Sequence, residues 1–175
     1  MIKKAILKIK TALALKKKGQ NRISEAYKQA KSIGLIYSFE SKENEKAQKE
    51  MIQRIEGDGK QVHTITYVDS SKGLTDPDYA FFTDKDLDAK GSWKNPIVEE
   101  FKKNPFDFLV SLDGELNKYT QNILAASAAK CRVGKFEEDK SQFFELMINP
   151  GELNYSAFLK SMEKKCLPNA SQKEE

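Results

Sequence analysis

Asp113 and Glu115 stand two residues apart just beyond an apolar run, Phe106 to Leu112. Carboxylates so spaced could share acid and base work or hold magnesium. The pair also has an ordinary reading, in which Asp113-Gly114 makes a turn and Glu115 decorates the start of the next helix. Glu40 and Ser41 follow an earlier apolar run, Ser32 to Phe39. In an open α/β sheet, ligands sit outside the carboxyl ends of the strands where the strand order reverses. Such a crevice would be lined by Ser38, Glu40 and Ser41 on one side and by Ser111, Asp113, Gly114 and Glu115 on the other. Its first turn, Ser38-Phe39-Glu40-Ser41-Lys42, lacks the glycines that let a backbone approach a pyrophosphate, and Glu40 would repel one. No nucleotide cofactor is expected there.

Other reactive side chains give weaker signals. His63 is the single histidine and lies inside an alternating stretch, Val62 to Val68, with no Ser, Cys or carboxylate partner identifiable, so a surface or structural role fits it. Asp84, Asp86 and Asp88 alternate like the start of a calcium loop, but Ala89-Lys90-Gly91 breaks the pattern and no bidentate Glu stands where one is required. They read as a turn, and no metal is expected. Trp93 could stack on a base, although a loop tryptophan closing the edge of a core is the commoner case. Cys131 and Cys166 form neither a metal motif nor a disulfide framework, which fits a reducing cytoplasm.

The elements that position these residues follow from apolar pattern and punctuation. Phe106 to Leu112 reads as a strand buried on both faces, followed by a helix from Asn117 to Ala129 and a strand from Cys131 to Phe136. That is one βαβ unit. An earlier one comprises the strand Ser32 to Phe39, a helix from Lys42 to about Glu56 capped by Ser41, and the strand Val62 to Val68. Tyr79 to Thr83 could form a further strand, Asn95-Pro96 opens a helix to Lys103, and Gln142 to Asn149 reads as a last strand. A final helix spans about Asn154 to Cys166. The fold class expected is α/β, a three-layer Rossmann-like and mostly parallel sheet with a basic amphipathic helix at its amino terminus. At 175 residues one domain suffices: a basic helical arm at 1–31, the α/β body at 32–167 and a polar tail at 168–175.

Charge divides unevenly along the chain. Residues 1–31 carry ten Lys or Arg against one acid, a net +9, which leaves −5 for the other 144 residues. Lys3, Lys4, Lys8, Lys10, Lys16, Lys17, Lys18 and Arg22 are the residues expected to meet something anionic, whether RNA, a membrane surface or an acidic protein face. If residues 1–18 are helical, Ile2, Ile6, Ile9 and Leu13 form one stripe, with Leu7 and Leu15 outside it. The stripe could pack on the body or enter a partner's groove. Lysines interrupt Ile2 to Leu15, so neither a membrane span nor a secretory leader is expected.

Three pieces carry a family resemblance: Ala30 to Tyr37; Phe106 to Leu112; and Ala129 to Phe136 with Phe144 to Ile148. The chain resembles a family of short, uncharacterised proteins from Bacteroidetes-type bacteria, known as a domain of unknown function. The resemblance spans nearly the whole chain and implies a cytoplasmic, single-domain protein. Asp107 to Phe136 is also similar to the acceptor-side Rossmann-like half of heptosyltransferase-type glycosyltransferases, which implies no catalytic residue here because the donor-binding half has no counterpart. The function expected is non-enzymatic binding of RNA or the ribosome through the basic helix. Two alternatives stand beside it: a small-ligand or enzymatic domain using Glu40, Ser41, Asp113 and Glu115, and a protein-interaction module docking the isoleucine stripe.

Overall fold

The computed structural model describes residues 2–17, 26–72 and 79–149, excluding the side chains of residues 42–44 and 72. The expected stop at Gly19-Gln20-Asn21, the final helix with Cys166 and the polar tail lie outside the described residues. Among the described residues, six strands run in the order β3-β2-β1-β4-β5-β6, all parallel: β1 Ser32–Ser38, β2 Gln61–Tyr67, β3 Phe81–Phe82, β4 Phe108–Ser111, β5 Cys131–Lys135 and β6 Leu146–Ile148. Among the described residues, four α-helices accompany them: α1 Ile2–Lys17, α2 Lys42–Gly57, α3 Pro96–Lys103 and α4 Lys118–Ala126. This is the expected Rossmann-like α/β arrangement.

The sheet buries both faces, which is why its inner strands read as continuous apolar runs. Ile33 and Leu35 of β1 join Phe108, Val110, Val133 and Ile148 in a core with Met51 and Ile55 of α2. Ile36, Ile65 and Leu109 face the other way, into a core with Leu7, Val98, Phe101, Tyr119, Ile123 and Leu124. Two glycines let aromatic rings reach the strands. A Cβ at Gly34 would lie 2.7 Å from Cδ2 of Phe106, and one at Gly134 would enter the ring of Phe144. Replacing Gly134 with alanine is therefore expected to cost about 1–3 kcal/mol through overpacking. Urea unfolding checks this, and an unchanged midpoint would show that the Phe144 ring can move aside.

Three expected strands are shorter than the sequence pattern indicated. β4 begins at Phe108 because Phe106 turns its ring into the Gly34 gap and Asp107 turns its carboxylate to the backbone of the neighbouring strand. β6 begins at Leu146, since Glu138–Phe143 forms a 3-10 turn that brings Phe143 and Phe144 into the core. Only Phe81 and Phe82 remain of the third strand, because Thr83 already caps the next 3-10 turn.

Aspartates bracket the central strand. At its entrance, Oδ2 of Asp107 accepts from the backbone N–H groups of Lys31 (2.7 Å) and Ser32 (3.0 Å), and Oδ1 pairs with Lys130 Nζ at 2.7 Å. At its exit, Asp113 holds Ser38. The two clamps grip both ends of β1 and so lock the β1–β4 register.

Candidate functional site

The crevice forms where the fold rule places it. β1 and β4 are neighbours, and β1 leads to α2 whereas β4 leads to α4, so the strand order reverses between them. Ser38, Glu40, Leu112, Asp113 and Gly114, with Met51 of α2 among others, line a cavity of about 260 Å³. Ser41 and Glu115 are not among its lining residues, and Glu115 is exposed.

Asp113 is buried, and its oxygens are engaged by the protein itself. Oδ1 accepts from Ser38 N at 2.5 Å and Oδ2 from Ser38 Oγ at 3.1 Å. Ser38 Oγ in turn accepts from Asn117 Nδ2 at 2.8 Å. Asn117 caps α4, its Oδ1 accepting from Tyr119 N at 2.8 Å and Thr120 N at 3.0 Å. The arrangement ties β1, β4 and the start of α4 into one knot, and this structural role accounts for a buried carboxylate without invoking catalysis.

Burial pushes the Asp113 carboxyl up to about 6, hydrogen bonds from Ser38 and Thr120 pull the other way, and the charge of Glu40 adds to the rise. The folded protein thus holds this proton more tightly than the unfolded chain does. Stability is expected to fall as pH rises from about 4 to about 6, by on the order of 2–3 kcal/mol, and this contribution to level off above that range. Asp113→Asn should remove that slope. Urea unfolding at steps between pH 4 and 7 checks it, and a slope unchanged in the variant would show that another group is responsible.

The basic helix lies on the body. α1 packs along α4, with Leu7 fully buried and Thr11 nearly so, while Ala14 and Leu15 press on the same core. A buried polar chain fixes this seat: Trp93 Nε1 donates to Asn122 Oδ1 at 2.9 Å, Asn122 Nδ2 to Thr11 Oγ1 at 3.0 Å, and Thr11 Oγ1 to the Leu7 carbonyl at 2.8 Å. Gly91, with φ of +64°, allows close approach, since a Cβ there would meet Leu7 N at 3.1 Å. Lys10 Nζ donates to Ser92 Oγ at 2.7 Å.

The covered face is not the isoleucine stripe. Ile2 (76% exposed), Ile9 (61%) and Leu13 (52%) point to solvent, and Ile6 is half-buried near Gly91. The possibility that the isoleucines pack on their own domain is corrected accordingly: Leu7 and Thr11, one turn apart, are the seat. Lys3, Lys4, Lys8, Lys16 and Lys17 are exposed, and none of them forms an ion pair among the described residues. Lys18 and Arg22 lie outside the described residues.

The remaining residues singled out from the sequence serve structure. His63 sits exposed on β2 with its ring 5.6 Å from that of Phe106. Trp93 is buried, edge-on to Phe82 at 5.2 Å. Asp86 closes a capping box with Thr83, Asp88 accepts from Lys90 N and Ser92 N, and Asp84 accepts from Ser70 N. The sequence reading missed the stacked pair Tyr67 and Tyr119, 4.9 Å apart, whose phenols burial pushes up. It also missed the ion pair of buried Arg132 with Glu145, whose carboxylate is partly open to water. An arginine inside an apolar run, thirteen residues before a glutamate that immediately precedes the next strand, was the signal available for the latter.

With the geometry described, similarity to known proteins adds one finding. Residues 3–165 match the model of a family described as a family of unknown function, DUF6913. The chain belongs to that family. The match takes in α1 together with the sheet, so the helix and its seat are part of what the family model describes. No curated protein and no solved structure matches the chain. Among the described residues, no helix is long and apolar enough to cross a membrane.

Proposed function

We propose that the chain is a non-enzymatic binding protein that attaches to an anionic partner through the outward face of α1. The observation that carries this reading is the seating of that helix. Leu7, Thr11 and Asn122 fix it on the body, yet an apolar stripe and five lysines without ion pairs among the described residues remain turned to solvent. A helix held this way loses little conformational freedom on binding, which favours association. The strand-end crevice offers less. Asp113 is occupied by Ser38, and neither Ser41 nor Glu115 lines the cavity. The local likeness of Asp107 to Phe136 to a glycosyltransferase half adds no catalytic residue.

The excess of lysines suits a phosphate-bearing partner, RNA on the ribosome or a ribosomal precursor being one such. Phosphate contacts would make affinity fall steeply with salt. The test is fractionation of a native lysate containing the full chain. At low salt the protein should sediment with particulate material, and changing Lys3, Lys4, Lys8, Lys16 and Lys17 to alanine should release it. Release by nuclease would assign the partner to RNA. If the five-lysine variant distributes like the wild type, docking through this face is wrong.

A further inference from the structure

We infer that the partner of this face is the headgroup region of an anionic lipid bilayer, an assignment that rests on the docking reading above. With Ile9 taken as the centre of the outward face, 100° per residue puts Ile2 and Leu13 within about 40° of it and Leu7 and Thr11 about 160° away, against the body. Ala5 and Ala12, both exposed, fall in the same outward arc. Lys8 lies about 100° to one side and Lys17 about 80° to the other, while Lys16, about 20° from the centre, stands beyond Leu13 at the carboxyl end of the strip. The apolar strip runs from Ile2 to Leu13, about 17 Å along the helix.

An apolar strip with lysines along its borders is the pattern of a helix lying in a membrane interface. Its apolar side chains enter the acyl boundary while the lysine stems run outward and their ammonium groups stay among the phosphates. RNA calls for a different layout, with several cations along the centre of the face, where Ile2, Ile9 and Leu13 stand and Lys16 is the one lysine. Charge also favours one orientation. α1 carries six lysines and no acid, whereas the described residues of the body, 26–72 and 79–149, carry 18 Lys or Arg against 19 Asp or Glu, so an anionic surface attracts the helix far more than the body behind it. Each lysine near such a surface contributes about fivefold to partition, so the binding is reversible and depends on lipid charge and salt.

The experiment uses the full chain with sedimented vesicles of phosphatidylcholine alone and of phosphatidylcholine containing phosphatidylserine, at low and high salt. Partition to the anionic vesicles is expected to exceed that to the neutral ones at least tenfold and to weaken with salt. An Ile9→Ser/Leu13→Ser variant should lose about tenfold, with circular dichroism and thermal midpoint unchanged because both side chains are exposed. Ile9→Trp should show a blue-shifted emission on the anionic vesicles. Equal partition to both compositions, no partition to either, or indifference to the Ile9 and Leu13 changes would overturn the lipid assignment. A parallel titration with polyuridylate separates the two claims. Salt-dependent RNA binding that survives the serine changes but not the lysine changes, without vesicle binding, would overturn the lipid partner while leaving the docking face intact. Indifference of vesicle, RNA and particulate binding alike to lysine removal would overturn both.

Discussion

Replacing Glu145 with alanine should destabilise the protein by about 3–5 kcal/mol, toward the lower end because Glu145 is partly open to water. Its partner, Arg132, is 5% exposed in β5. The guanidinium meets the carboxylate in a fork, Nη2 to Oε1 at 2.5 Å and Nε to Oε2 at 3.0 Å, while Nη1 reaches the Leu124 carbonyl at 3.4 Å. The backbone joins in: Arg132 N donates to Oε2 at 2.6 Å, and Glu145 N returns a bond to the Arg132 carbonyl at 2.9 Å. Without the carboxylate, a cation remains in the apolar layer with one long bond to a carbonyl. The double variant Arg132→Met/Glu145→Leu removes both charges and should lie within about 1–2 kcal/mol of the wild type. Urea unfolding of the two variants checks the difference. A loss below 1 kcal/mol in Glu145→Ala would mean that water enters and solvates the guanidinium.

The sheet was legible because strands buried on both sides need apolar residues at nearly every position, and Ser32 to Phe39 and Phe106 to Leu112 supply them. α3 and α4 start where Asn95-Pro96 and Asn117 announce them, since caps are local chemistry. Strand ends were harder. Whether Phe106 continues a strand or folds its ring inward depends on Gly34, 72 positions earlier, and no local pattern records that contact. The crevice had the same character. Its place followed from the topology rule, and Ser38, Glu40 and Asp113 line a cavity there. That Asp113 is tied by Ser38, 75 residues away, is a tertiary fact, and it turns a candidate acid into a clamp.

Leu7→Ala is expected to cost about 2–5 kcal/mol, whereas Leu13→Ala should change stability by less than about 0.5 kcal/mol. α1 carries two apolar arcs, and periodicity alone cannot say which is covered. The longer one, Ile2, Ile6, Ile9 and Leu13, looked like the packing face, yet the body covers the arc containing Leu7, where Thr11 is the next residue one turn on. Thr11 earns that place through Asn122, whose amide would lose an acceptor if the hydroxyl were removed. Urea unfolding of the two leucine variants decides the matter, and equal losses would mean that Leu13 is also covered in solution. The difference governs how the helix can be tested. Deleting residues 2–17 would strip Leu7 and Thr11 from the core and from Asn122, so any lost binding would report unfolding together with docking. Changes at Ile9 and Leu13, like those at the exposed lysines, leave the seat untouched and so separate attachment from stability.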